Sequence, residues 1–271
     1  MILNALIGKQ QMTRTRSLFF LLLILSLLCG HSLFAQNEYN FSQFGQETGS
    51  FFTQPLRWEG NDWLKFGLIG AGTFLSMQAD QPIRTAVLKD QRYYYSVPIE
   101  GGRIWGESYT TPILAVAFGL HGWITDNSST KKIGFEIGQA VIYSAVITQI
   151  LSKSVGRARP NQNLGRSAYQ PFTLFGEDYH SFPGGHSSAA LVLSTVLSRN
   201  VSSGFLKVLA YTPAVFTLVS RVYQDYHWTS DDLLGGAIGY FVADWVINQH
   251  EQKENRVELS SVYPLTIRII L

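Results

Sequence analysis

The chain has a single cysteine, Cys29, and it falls within the first 35 residues. A chain cut after Ala35 would therefore carry neither thiol nor disulfide, so its fold cannot rest on covalent staples or cysteine ligands. Charge is scarce as well. Only 15% of residues are Asp, Glu, Lys or Arg, against roughly 25% in an ordinary soluble domain. A basic excess is missing too: residues 1–35 hold Lys9, Arg14 and Arg16 and no acid, which leaves 18 Lys and Arg against 19 Asp and Glu. That balance excludes the broad positive surface of a nucleic-acid binder. The sequence also lacks internal repeats, low-complexity tracts and any clear cluster of metal ligands outside the motifs below.

What is present begins with an export segment. Lys9, Arg14 and Arg16 precede the apolar run Leu18 to Leu28, and Ser32-Leu33-Phe34-Ala35 offers a cleavage site before Gln36. Residues 36–60 read as an N-terminal extension, 61–250 as a helical domain and 251–271 as a C-terminal tail. Apolar periodicity predicts helices over Trp63 to Met77, Thr111 to Trp123, Gly134 to Leu151, Ser187 to Arg199, Phe205 to Arg221 and Asp232 to Gln249. The fold class is all-α, an up-and-down bundle of about six helices with the site at one end. The polar stretch Asn161 to Phe182 reads as a functional loop.

Three short runs share one chemistry: Lys153 to Pro160 (KSVGRARP), Ser181 to Ser187 (SFPGGHS) and Ser220 to Asp231 (SRVYQDYHWTSD). A phosphate needs planar guanidinium forks and convergent N–H donors, which Arg157, Arg159, Arg221, Gly184 and Gly185 supply. His227 and His186 are candidates for nucleophile and proton donor, because an imidazole holds a lone pair or a proton near neutral pH. Asp231 follows His227 by four residues. On a helical turn that spacing puts the carboxylate where it can hold one ring nitrogen. Taken singly, each piece has a plainer explanation: two arginines at a helix end, a Pro-Gly turn, a packed histidine. All three runs fall at ends of predicted helices, and in an up-and-down bundle those ends meet.

The composite of Arg159-Pro160, Pro183-Gly184-Gly185-His186, and Ser220-Arg221 followed by His227 and Asp231 resembles the signature of the type 2 phosphatidic acid phosphatase and vanadium haloperoxidase superfamily, over about residues 134 to 248. The resemblance implies a phosphomonoesterase in which His227 attacks phosphorus to form a phosphohistidine. Asp231 then orients that histidine, His186 protonates the leaving oxygen, and Arg159 and Arg221 hold the phosphate. Two positions depart from the pattern. The usual lysine, seven residues before the arginine of Arg159-Pro160, is Ser152 here, with Lys153 one place later and rotated by about 100° on a helix. The usual serine before the Gly-His pair is Gly184, which keeps a backbone donor and loses a hydroxyl.

The substrate expected is a lipid or isoprenoid phosphate or diphosphate, with a small phosphoester as the alternative. No cofactor or metal is required; vanadate enters only as an inhibitor, or as the cofactor of a haloperoxidase reading. A non-catalytic lipid-phosphate binder is a further alternative. The superfamily resemblance leaves location open between the soluble periplasm and the membrane. Low charge and Gly, Ala and Ser-rich helices favour the membrane, whereas Glu136, Gln139, Gln149 and Asp244 are costly against lipid. Five spans starting at Thr111 would put Lys131-Lys132 and Arg199 to Lys207 inside and every motif outside, with Trp63 to Met77 not spanning.

Overall fold

The computed structural model describes residues 37–260. The expected export segment with Cys29, and the tail beyond Ser260, lie outside the described residues. Glu38–Gln249 form one compact unit. The flanking unit contributes Asn37 and residues 250–260, where the Asn37 amide donates to the His250 carbonyl at 2.8 Å.

The described residues are helical, with no strand beyond an isolated bridge between Arg157 and Tyr169. The helices are α1 (Phe41–Phe52), α2 (Gly60–Ser76), α3 (Asp80–Val87), α4 (Val97–Gly106), α5 (Thr110–Ile124), α6 (Ser128–Val155), α7 (Gly185–Arg199), α8 (Gly204–Leu209), α9 (Thr212–Tyr223) and α10 (Thr229–Ser260). All six helices expected from periodicity are present, and α1, α3 and α4 are additional. The run expected as one helix over Phe205 to Arg221 divides into α8 and α9, with Pro213 in the first turn of the second. A proline has no N–H for the preceding turn and crowds its carbonyl, so the helix restarts there.

α7 is the axis of the bundle. Val192, Leu193 and Val196 are fully buried, packed against Ile137, Ala140 and Tyr143 of α6 and Val242, Ala243, Val246 and Ile247 of α10. Each such aliphatic side chain contributes about 1.5–3 kcal/mol by leaving water. α10 meets the start of α7 almost backbone to backbone. A Cβ on Gly235 would lie 2.0 Å from the Gly184 carbonyl oxygen, and one on Gly239 would lie 2.1 Å from that of Ser188.

The exterior is apolar. α2 buries only Thr73 and exposes Trp63, Leu64, Phe66, Leu68, Phe74 and Leu75. Ile113, Val116 and Leu120 of α5, Ile142, Val146 and Ile150 of α6, and Val215 and Val219 of α9 also face outward. By length and composition, α6 and the 20-residue stretch Gly204–Tyr223 can cross a membrane, and α5 is a shorter apolar helix. α7, one of the five expected spans, is instead 15 residues long and buried along most of its length.

Candidate active site

Gly156 ends α6 and sets the direction of the first run. Its φ of +61° is left-handed, and a Cβ there would lie 1.8 Å from the Gln170 carbonyl oxygen, so glycine is required on both counts. The loop that follows folds back along this exit. Ala158 N–H donates to the Ala168 carbonyl at 2.9 Å, Arg159 N–H to Asp178 at 2.8 Å, and Ser181 N–H to Arg157 at 3.1 Å. The stretch expected as a functional loop is thus tied to the first run by backbone bonds.

Arg159, His186, His227 and Gly185 line one cavity of about 430 Å³, together with Glu107, Ser152, Glu177 and Ser188. Three elements bring these groups together: the exit from α6, the N-terminus of α7 and the turn between α9 and α10. His186 Nδ1 lies 3.2 Å from His227 Nε2. The Arg159 guanidinium stacks over the Tyr226 ring at 3.9 Å, with its Nη1 3.4 Å from His227 Nε2. The Arg221 guanidinium lies 5.5 Å from the Tyr226 ring centroid and donates to Ser220 and Gln224. A carboxylate holds the outer face of Arg159: Glu177 Oε2 accepts from Nη2 at 2.9 Å, although its own side chain is 76% exposed.

Hydrogen bonding fixes the tautomers of both histidines. His227 Nδ1 lies 2.8 Å from the Ser181 carbonyl, which can only accept, so Nδ1 carries the proton and Nε2 is left as acceptor. His186 Nδ1 must then be the donor toward His227. Burial, reinforced by Arg159 and by His186, pushes the His227 pKa well below the usual histidine value. Burial likewise lowers His186 to about 3, with Arg221 and Arg159 adding to the effect. Both rings are neutral at neutral pH, and His186 Nε2 lies 3.8 Å from Glu107 Oε2.

Four expected placements differ in the structure. Asp231 does not touch the His227 ring. His227 lies in the turn before α10, so the helical i,i+4 geometry never forms, and Ser181 takes the ring nitrogen instead. Asp231 accepts from Ser181 Oγ at 2.5 Å, Trp228 N–H at 3.0 Å and Arg157 Nη1 at 2.5 Å, so it reaches His227 only through Ser181. Burial pushes Asp231 up to about 6 against the pull of Arg157 and the other donors, leaving it ionised at neutral pH.

Arg157 is not a cavity residue. It is buried between Asp231 and Asp80, with Nη2 2.8 Å from Asp80 Oδ2 and further bonds to Ser230 Oγ and the Arg166 carbonyl. Lys153 does not line the cavity. The 100° rotation between neighbours turns it off the face that Ser152 presents. The Gly184 N–H is no free donor, because it donates to the Asp231 carbonyl at 2.8 Å. A Cβ there would lie 2.6 Å from Asp232 Oδ1, which accounts for glycine at this position.

Sequence reading missed Glu107, Glu177, Ser181 and Asp80. Ser181 opens the second run and Glu177 falls in the expected functional loop, whereas Glu107 and Asp80 lie outside every segment the sequence singled out.

Residues 134–255 match the PAP2 superfamily. A lipid A 1-phosphatase of Porphyromonas gingivalis is 33% identical over 84 residues, which is 30% of this chain and 19% of that protein. The matched segment is thus under a fifth of the relative's length. The crystal structure of a transmembrane PAP2-type phosphatidylglycerolphosphate phosphatase from Bacillus subtilis is similar in fold. It has a TM-score of 0.53 and 21% identity, and the likeness covers 75% of this chain and 96% of that one. The segment that matches the PAP2 superfamily is the one that carries all three runs.

Proposed function

We propose that the protein is a lipid phosphate phosphatase acting through a phosphohistidine. The observation that carries this reading is the pair of neutral imidazoles 3.2 Å apart beside the Arg159 fork, with their tautomers set by the Ser181 carbonyl. His227 Nε2 attacks phosphorus with its lone pair, the bond from phosphorus to the carrier oxygen breaks, and His186 Nδ1–H protonates that oxygen. Water then attacks the phosphohistidine, returns a proton to His186 and releases inorganic phosphate. Arg159, Arg221 and the N–H groups that open α7 balance the equatorial charge. Phosphate enters by displacing the Glu177 carboxylate from Arg159.

His186 needs a second proton to act as an acid, and the free protein does not hold one. A phosphomonoester monoanion brings it: its negative charge raises the histidine pKa, and the added Nε2–H faces Glu107. Asp231 is a positioning residue, acting through Ser181.

The outward apolar side chains of α2, α5, α6 and α9 support a membrane location, with the ring cluster of Trp58, Trp63 and Phe66 at one end of α2 placed like an interfacial belt. Arg199 ends α7 and Lys131 and Lys132 open α6, whereas His186 and Ser152 lie at the opposite ends of the same helices. That polarity supports export with the site on the outer, periplasmic face of the inner membrane.

Phosphate release from phosphatidic acid, isoprenyl diphosphate and an aryl phosphate, with acid quenching to trap an acid-labile phosphoenzyme, tests the activity. Turnover of at least one substrate is expected, with label on His227, and inactivity on all three overturns the reading. Release of the protein from membranes by alkaline carbonate overturns the membrane location.

A further inference from the structure

Arg103, on α4, grips two carboxylates on one face of its helix. Its Nε donates to Glu100 Oε2 at 2.8 Å and its Nη1 to Glu107 Oε1 at 3.1 Å, so one guanidinium spans the residue a turn before it and the residue a turn after. Each carboxylate keeps a second oxygen, and the two reach different parts of the site. Glu100 Oε1 accepts from Gln224 Nε2 at 2.8 Å, and Gln224 Oε1 accepts from the Arg221 guanidinium. Glu107 Oε2 receives no hydrogen bond among the described residues and stands 3.8 Å from His186 Nε2. One arginine therefore ties Arg221 to His186, through residues that all precede the segment matched to the superfamily.

Packing leaves α4 no clearance. A Cβ on Gly102 would lie 2.2 Å from the Phe216 carbonyl oxygen, and one on Gly106 would lie 2.2 Å from Thr217 Cγ2 and 3.1 Å from the His186 carbonyl oxygen. Thr217 Oγ1 also donates to the Gly102 carbonyl at 2.7 Å. Stability does not account for the clamp, because the Arg103 side chain is 34% exposed and ion pairs at such exposure contribute little. The gap at His186 has a chemical reason. With the ring proton on Nδ1, both Nε2 and Glu107 Oε2 are acceptors and cannot bond. A second proton makes Nε2 a donor. The Arg159 and Arg221 charges oppose that proton, and Glu107 is the carboxylate that stands against them.

We propose that Glu100, Arg103 and Glu107 form a positioning clamp with two arms: Glu107 holds the Nε2 proton of His186, so that Nδ1 alone exchanges a proton with substrate, and Glu100 fixes Arg221 on the phosphate through Gln224. This rests on the phosphatase reading and adds to it residues outside the three runs. As the bond from phosphorus to the carrier oxygen breaks, the Nδ1–H bond breaks with it and the oxygen gains the proton. His186 is left neutral with its remaining proton on Nε2, facing Glu107. The bare Nδ1 then takes a proton from the water that attacks the phosphohistidine. The clamp touches neither phosphorus nor the carrier oxygen and acts only through His186 and Arg221.

The two arms separate in kinetics. kcat/KM of the full chain is measured on an alkyl phosphate and on an aryl phosphate, whose leaving oxygen needs little protonation, with orthovanadate as inhibitor. Glu107→Gln is expected to lower kcat/KM about ten- to hundredfold on the alkyl ester, the range for removing a partner that orients a functional histidine. On the aryl ester the loss should be about threefold or less, because the acid step matters little there. Gln224→Ala should weaken vanadate inhibition about tenfold, the value of a hydrogen bond to a charged group, and lower both esters alike. Arg103→Gln should show both losses. A merely structural role would lower the two esters together in every variant, so equal losses in Glu107→Gln overturn the first arm. Unchanged vanadate inhibition in Gln224→Ala and Arg103→Gln overturns the second. A readout on wild type needs no variant to fold: ring-nitrogen NMR with vanadate bound should show His186 protonated at Nε2, and a bare Nε2 overturns the Glu107 arm. If neither ester is hydrolysed while vanadate binds, the phosphatase reading falls alone and the NMR and vanadate measurements still decide the clamp. Absence of both turnover and vanadate binding overturns the two together.

Discussion

Arg157 and Arg159 stand two residues apart in one motif and serve different ends. Arg157 is sealed in a cluster with Asp80, Asp231 and Ser230, out of the cavity, with its guanidinium also 5.3 Å from the Trp228 ring centroid. Arg159 faces the cavity, and the one carboxylate it meets belongs to an exposed loop residue. A charge surrounded by buried partners holds the fold together. A charge whose partner can leave is ready for a ligand, and the number of arginines in a motif does not tell the two apart.

The severest way to break this comparison is to remove the proposed nucleophile and ask whether the cluster notices. His227→Ala is expected to lower turnover by at least about a thousandfold, with a melting temperature near that of wild type; a large melting shift would show that the cavity and the cluster are one unit. Arg157→Met comes next. It leaves two buried carboxylates facing each other unpaired and is expected to cost about 3–5 kcal/mol of stability, read by thermal unfolding in detergent.

Arg159→Ala should do the reverse, lowering kcat/KM about a hundredfold while barely moving the melting temperature. Equal melting losses in the two arginine variants would erase the distinction. The pH profile gives a finer test. His227 is neutral well below the ordinary histidine range and the proton for His186 arrives with substrate, so kcat/KM should rise as pH falls through about 6, the second pKa of a phosphomonoester. A loss of activity on acidification with a midpoint near 6.5 would contradict the assignment. The smallest effect is expected for Glu177→Gln, a two- to fivefold lower KM with stability changed by less than about 1 kcal/mol, because the carboxylate it removes is largely exposed.

The sequence carried the long helices because each has an apolar face several turns long, from Gly134 to Leu151 in α6 to Asp232 to Gln249 in α10. It missed α3 and α4, which are about two to three turns long and are held by distant partners, as when Asp80 accepts from Ser230 and Arg157 across the fold. The convergence of His186, His227 and Arg159 was legible, since each lies at a helix end and the ends meet. The job of Asp231 was not. A spacing of four predicts contact only if both residues are on the helix, and His227 precedes the first turn of α10. The offset at Lys153 was legible from rotation alone, but that Ser152 would be among the residues lining the cavity depends on packing that no local pattern contains.

Asp231 binds Arg157 with one oxygen and, with the other, the serine whose carbonyl fixes the tautomer of His227. One carboxylate thus couples the folding of the protein to the reactivity of its histidine. A genetic screen will score this position as intolerant to every substitution, and that score alone will not tell a broken protein from a folded one with its imidazole turned.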